Sequence, residues 1–288
     1  MAQVTRLREI IQGPGIGVAP GAHDVLSAKL IEQAGFPAIF TSGFGLSASA
    51  LGLPDIGLLT MTETLDRVRR IVDAVSVPVI ADMDTGYGNP LNVVRTVSEC
   101  VRLGIEGIIL EDQLWPKKCG HMEGKSVIPM EEQVEKIRAA VYAKGDDDLV
   151  IIARTDAIAP VGFEEAIRRG QAYATAGADV VFIEAPQSMD QLKTIAASFD
   201  VPLLVNMVEG GKTPFLPARE LEELGFKLVI FPLSGLFAAT RAIQEVSRHL
   251  KASGTTSGYD DMVSFVEFEE IIGVQHFRKI EAQFAIKG

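Results

Sequence analysis

Eight short, almost wholly apolar runs punctuate the chain, at residues 16–19, 38–41, 77–82, 107–110, 149–154, 179–184, 202–206 and 227–231. Strands of this composition are buried on both faces, as in a parallel sheet covered by helices. Helical patterns fill the intervals, among them 64–74, 91–103, 131–144, 163–176 and 236–250. Gly35, Gly104, Gly177 and Gly225 stand where a helix must stop before the next strand, matching a left-handed C-cap. Eight strand-then-helix units predict an α/β fold, a closed (β/α)8 barrel of the TIM type over 1–250. An open doubly wound sheet would carry a phosphate-cradling Gly loop after its first strand. The segment here reads GVAPGAHD, without such a loop.

A polar connector, KASGTTSGYDD, leads into a helical extension over 251–288. Its pattern, continuous over 262–284, places Phe265, Phe268, Ile272, Phe277, Ile280 and Phe284 on apolar positions. That is more apolar surface than a solitary helix should expose, and packing on the barrel or on a second subunit would both cover it. The N-terminal 15 residues read as a short surface helix rather than a signal peptide. No stretch reaches the roughly 18 apolar residues of a membrane span.

Lys and Arg number 27 against 38 Asp and Glu, a formal charge of −11, so a nonspecific nucleic-acid binder is excluded. Two cysteines, Cys100 and Cys119, make neither a disulfide framework nor a zinc pair, which predicts a reducing, cytoplasmic location. Cys100 shares a helical stripe with Val93, Val97 and Val101 and reads as core.

Functional groups of such a barrel gather at the C-terminal ends of its strands. Asp82, Asp84, Glu111 and Asp112 put several carboxylates on adjacent units of that rim. Hard oxygen donors without a His or Cys cluster predict Mg2+ or Mn2+, partly through water. A single strand-end Asp could equally cap a helix, as His23 and Asp24 could. Cys119 follows Lys117 and Lys118 and lies two residues from His121; neighbouring cations and an imidazole lower a thiol pKa and predict proton transfer. Arg154, just after a strand, is either a carboxylate clamp or the partner of Glu184 or Glu111. Ser42, Gly43 and Phe44 can turn backbone amides toward a carboxylate.

The motifs TSGFG, LGLPDIG, DMDTGYG, LEDQ, KKCGHMEGK, ARTDA and NMVEGGKTP, in this order, resemble the isocitrate lyase and phosphoenolpyruvate mutase superfamily over nearly the whole chain. The resemblance implies a (β/α)8 barrel, Mg2+ or Mn2+, a mobile gating loop carrying the Cys-Gly-His motif, and a homotetramer that exchanges C-terminal helices. The KKCGH loop resembles the lyase branch, in which the cysteine is the proposed acid; mutases and decarboxylases usually lack it. NMVEGGKTP is closer to 2-alkylmalate and 2,3-dimethylmalate lyases than to 2-methylisocitrate lyases, and Pro232 differs from the Ser that marks oxaloacetate acetylhydrolases.

The resemblance therefore implies retro-aldol cleavage of a small hydroxy carboxylic acid to a 2-oxo acid and a second acid. Decarboxylation or hydrolysis of oxaloacetate, phosphorus–carbon chemistry, and a noncatalytic binding barrel are the alternatives. By resemblance Asp84 is the direct metal ligand, with Asp82 and Glu111 acting through water. Cys119, His121, Arg154 and Glu184 are the catalytic set. Ser42, Gly43, Phe44, Asp55, Gly120, Asn206, Pro232 and Ser234 contact substrate.

Overall fold

The computed structural model describes residues 5–285. Its centre is one closed sheet of eight parallel strands in sequential order: β1 (Gly17–Ala22), β2 (Ile39–Thr41), β3 (Val79–Asp82), β4 (Gly107–Glu111), β5 (Val150–Thr155), β6 (Val180–Ile183), β7 (Leu203–Asn206) and β8 (Leu228–Phe231). β8 pairs with β1, Gly17 opposite Leu228, which closes the ring. The expected barrel is therefore the observed one. β1 runs three residues beyond its expected end at 19, because Pro20 stays in register with Phe231 of β8, and Gly21 and Ala22 with Phe40 and Thr41 of β2.

Helices follow the strands: α1 (Arg6–Gln12), α2 (Val25–Gln33), α3 (Gly43–Leu51), α4 (Met61–Val72), α5 (Pro90–Arg102), α6 (Met130–Lys144), α7 (Ile158–Val161), α8 (Phe163–Thr175), α9 (Met189–Ala197) and α10 (Ala218–Leu224). Gly35, Gly104, Gly177 and Gly225 all adopt positive φ, as the C-cap reading requires. Local chemistry starts the helices too. Asp24 caps α2 in a reciprocal box with Ser27, Thr60 caps α4 with Glu63, and Asn89 precedes Pro90 at the first turn of α5.

Inward-facing side chains of alternate strand positions fill the barrel: Ala19, Phe40, Ile80, Ile109, Ile152, Phe182, Leu204 and Ile230 belong to one buried cluster. Leu7 and Ile11 of α1 join it, at 0% and 5% exposure. The N-terminal helix is thus a plug packed into the barrel core, not the surface helix expected from its mixed charge. Its polar residues are used as anchors: the Leu7 amide donates to Glu106 (2.9 Å) and Arg8 pairs with Asp179 (3.1 Å) and Asp148. Apolar clusters between sheet and helices take up the remaining core, with Cys100 fully buried among them as its stripe predicted.

The described residues form two compact units, which divide after Leu236. The second contains most of α11 (Ser234–Ser253), then α12 (Phe265–Ile271) and α13 (Val274–Phe284). The continuous helix expected over 262–284 is broken at Gly273, whose φ of 76° turns the chain. Phe265, Phe277 and Phe284 are 80%, 66% and 75% exposed. No helix among the described residues is long and apolar enough to cross a membrane.

Candidate active site

The strand ends bring the expected residues to one mouth. Glu111 ends β4 as the register partner of Arg154 on β5, and its Oε2 lies 3.3 Å from Arg154 Nη2. Arg154 also lies 3.5 Å from Glu184, just beyond β6. Asn206, closing β7, donates to both Glu184 oxygens at 3.2 and 3.4 Å. Both carboxylates that the sequence offered as partners of Arg154 are therefore used. A third was missed: Asp156 takes the guanidinium through two bonds, Nε to Oδ2 at 2.9 Å and Nη2 to Oδ1 at 3.0 Å. Residues 154 and 156 share one face of the strand end, so period-two reading could have found the pair.

On the opposite side, Asp82 receives the Asp84 amide (3.1 Å) and the Gly43 amide (3.3 Å). Asp84 sits at φ 49°, a left-handed conformation that Asp tolerates but most residues avoid. Between these acids lies Lys117, 3% exposed, with Nζ 2.6 Å from Asp55 and 2.6 Å from Asp84. Burial would drive its ammonium down, but Asp84, Asp55, Glu111 and Asp82 hold it well above the usual lysine range. Burial likewise lifts the Asp84 carboxyl to about 6, against Lys117 and with help from Asp82 and Asp55. Burial raises Glu111 well above its ordinary value, opposed by Arg154 and reinforced by Asp156.

Lys117 was read as a neighbour that acidifies Cys119; it is instead the counter-ion of the carboxylate cluster. Lys118 turns outward to the Gly124 carbonyl (2.8 Å). The Cys119 thiol is consequently not acidified. Burial pushes it up to about 11, against a backbone hydrogen bond from His121 and the charge of Arg154, with Asp55 and Glu184 adding to the rise. This corrects the expected direction of the shift. It leaves the thiol protonated at neutral pH, which a proton donor needs.

The segment from Gln113 to Val127 folds over the mouth as a closed gate. Its base is an antiparallel bridge between Gln113 and Val127, and the Gln113 amide side chain holds both the N–H (3.0 Å) and the C=O (2.7 Å) of Lys118. The Cys119 amide donates to the Asp55 carbonyl (3.2 Å). Gly120 rests on the arginine: a Cβ there would stand 2.5 Å from Arg154 Nη2 and 2.7 Å from Glu184, so only glycine fits. His121 places Nε2 3.2 Å from Glu184 while Nδ1 accepts the Lys212 amide (3.1 Å), which assigns the ring proton to Nε2. Burial would raise the Glu184 carboxyl, but Arg154, the His121 contact and Lys125 outweigh it and bring it down to about 2.

Beneath the gate a chamber of about 30 Å³ remains, bounded by Ser42, Phe44, Asp55, Cys119, His121, Arg154, Asn206, Val208, Pro232 and Leu233. Ser42 also caps α3, a helix beginning at Gly43 where the SGFG glycines had read as a turn. Ser234 stands outside this lining, bonded to Glu209 at the start of α11. Asp112 leaves the rim altogether. It is fully buried, accepting bonds from Thr155 (2.7 Å), Tyr173 (2.8 Å), Arg169 (2.9 Å) and the Asp156 amide (2.9 Å). Asp24 caps α2 as expected, whereas His23 precedes the cap and contributes only its backbone amide, donated to Ser27 Oγ (3.1 Å). A larger cavity, about 560 Å³, lies outside the mouth around Tyr87, Trp115 and Lys136 and reaches none of the predicted catalytic residues.

The donor set of Asp82, Asp84 and Glu111 is all oxygen and suits a hard cation. Glu111 Oε1 is buried without a hydrogen-bond partner, and Asp84 Oδ1 has only the poorly aligned Lys117 ammonium. Among the described residues no three His, Cys, Asp or Glu side chains converge closely enough to hold a cation directly.

Barrel, gate and rim together define a class, and the chain belongs to the PEP mutase/isocitrate lyase superfamily: residues 7–251 match the phosphoenolpyruvate phosphomutase family. Among its relatives, the 2,3-dimethylmalate lyase of Eubacterium barkeri is 47% identical over 286 residues, covering 99% of each chain. A solved 2,3-dimethylmalate lyase, described as a member of this superfamily, superposes with a TM-score of 0.92 at 38% identity, covering 98% of this chain and 96% of its own. An oxaloacetate acetylhydrolase bound to 3,3-difluorooxalacetate gives 0.93 at 37% identity, covering 98% and 97%.

Proposed function

We propose that this chain is a divalent-cation-dependent carbon–carbon lyase that cleaves a 2-alkylmalate, of the 2,3-dimethylmalate type, to a 2-oxo acid and a second carboxylic acid. The observation that carries this reading is Cys119: a protonated thiol held by the gate over the chamber that Arg154, His121 and Glu184 line. The relatedness to 2,3-dimethylmalate lyase supports it.

In such a reaction water or a nearby carboxylate takes the C2 hydroxyl proton and C2 becomes a carbonyl. The C2–C3 bonding pair moves onto C3, which leaves as the enolate of a carboxylate. Asp84, with Asp82 and Glu111 beside it, would hold Mg2+ or Mn2+, which would supply Lewis-acid polarisation of the 2-oxo acid end. Ser42 and Phe44 hold the carboxylate at that end, joined by the Gly43 amide once it leaves Asp82, and Asp55 orients it. Arg154, His121 and Asn206 face the leaving carboxylate, where charge grows most in the transition state. Glu184, ionised between them, fixes their orientation. Cys119 then gives its proton to C3. Phe44, Val208, Pro232 and Leu233 form an apolar wall, which favours an alkyl substituent over the additional carboxylate of 2-methylisocitrate. Pro232 offers no hydroxyl for the acetylhydrolase reaction.

The chamber is too small for any such substrate, so entry requires the gate to move. The exposed phenylalanines of the C-terminal unit support a homotetramer that covers them. The need for a free thiol at Cys119 supports a reducing, cytoplasmic location. A coupled pyruvate assay with racemic 2-alkylmalates, 2-methylisocitrate, oxaloacetate and phosphonopyruvate, with and without Mg2+, tests the assignment. Fastest turnover is expected on an alkylmalate, and no cleavage of any hydroxy acid would refute the lyase reading.

A further inference from the structure

The gate carries a second lysine that the reaction as written does not use. Lys125 is buried, its side chain 2% exposed, and its Nζ reaches two places at once. It donates to the Gly120 carbonyl, inside the Cys-Gly-His turn. It also lies 3.0 Å from Asp156 Oδ1, the oxygen that receives Arg154 Nη2. One ammonium thus bridges the moving turn and the acid that holds the catalytic arginine.

The charges explain why this matters. Glu111, Asp156 and Glu184 all lie within 3.5 Å of the Arg154 guanidinium. With three anions around one cation, little positive potential is left for an incoming carboxylate. Asp156 makes the tightest of these contacts, and Lys125 is the cation that shares it. Lys125 leaves Asp156 if the gate lifts, because it is part of the gate. Arg154 keeps both hydrogen bonds to Asp156 in the closed state, but there Lys125 shares the carboxylate's charge and leaves more of the guanidinium's own turned toward the chamber; in the open state Asp156 draws on Arg154 alone.

We propose that Lys125 is a positioning residue that couples gate closure to Arg154, so that the arginine can stabilise substrate charge only once Cys119 is in place. Other contacts hold the gate without touching Asp156. Gln113 clamps Lys118, and Glu123, 86% exposed at its side chain, pairs with Lys212 at 2.6 Å. Removing Lys125 should therefore uncouple Arg154 without unfastening the loop. The inference rests on the lyase reading for where charge appears, but not for its structural consequence.

Lys125→Met, Lys125→Arg and Glu123→Gln, each studied by crystallography and by kinetics on the best substrate of the wild type, test it. In Lys125→Met the gate should still close, with Arg154 drawn further toward Asp156 and Nη2 farther from Glu184 than its present 3.5 Å. Its kcat should fall about 10²-fold, the scale of a misplaced catalytic group, with KM changed less than about threefold. Lys125→Arg should recover most of the rate. Glu123→Gln, which weakens only a surface latch, should leave Arg154 where it is and kcat within about threefold. An unmoved Arg154 in Lys125→Met, a kcat within threefold of wild type, or an equal loss of kcat in Glu123→Gln would overturn the proposal. If the wild type cleaves no substrate, the lyase reading fails and the position of Arg154 in Lys125→Met alone decides this one.

Discussion

Lys117 Nζ stands 2.6 Å from Asp84 Oδ1 and 2.6 Å from Asp55, a buried ammonium at the centre of the acids that best suit a divalent cation. The cluster is held together by positive charge, and one monovalent group on a gate supplies only part of what Asp55, Asp82, Asp84 and Glu111 require.

Turnover should accordingly depend on added Mg2+ or Mn2+. Asp84→Ala is expected to lower kcat/KM by about 10³-fold, the loss of several kcal/mol of transition-state stabilisation. Full activity after exhaustive EDTA treatment, or in Asp84→Ala, would remove the cation from the mechanism.

Asp112 makes the opposite prediction. It is buried with Arg169, Tyr173 and Thr155 rather than facing the mouth, so its neutralisation leaves the buried Arg169 guanidinium with Glu165 and neutral acceptors such as the Ile128 carbonyl. Asp112→Asn should destabilise the fold by about 3–5 kcal/mol in urea titrations. A loss under about 1 kcal/mol would show that the network is not structural.

The alkaline limb of the cleavage rate should lie high. A thiol acid is competent while protonated; burial has raised the Cys119 pKa to about 11, so the competent form persists through neutrality and is lost only as pH passes that value. Cleavage that falls off near pH 8.5, the range of an ordinary thiol, would contradict the buried placement.

Phe265→Glu combined with Phe277→Glu should break the assembly, since both rings are largely exposed in the single chain and would be charged in any interface that covers them. Sedimentation of the variant as a smaller species, against a tetrameric wild type, is the expected result. A monomeric wild type would refute the assembly.

Much of this architecture was legible from alternation alone. Eight apolar runs and glycines such as Gly104 and Gly225 define the barrel, because buried parallel strands and left-handed helix stops leave marks in single residues. The α1 plug was not legible: Leu7 and Ile11 are apolar among charges that pair across space with Glu106, Asp148 and Asp179, and nothing local distinguishes such partners from solvent. The same reason hid Lys117 and Lys125. Both lie in a charged, Gly-rich stretch that reads as exposed loop, and only the closed gate turns their ammonium groups inward. Rim residues Glu111, Arg154, Glu184 and Asn206 were legible because strand ends point them one way. The direction of the Cys119 shift was not, since it depends on which lysine faces the thiol.

Cys119→Ser tests the central claim most directly, read as the ratio of alkylmalate cleavage to oxaloacetate decarboxylation in variant and wild type. Serine preserves the shape of the side chain but is too weak an acid to quench a C3 carbanion, whereas the pyruvate enolate left by decarboxylation can take its proton from solvent. Alkylmalate cleavage should fall by roughly 10²- to 10⁴-fold, with any decarboxylation far less affected. An unchanged ratio, or full cleavage activity in Cys119→Ser, would remove Cys119 as the acid and with it the observation on which the lyase assignment rests.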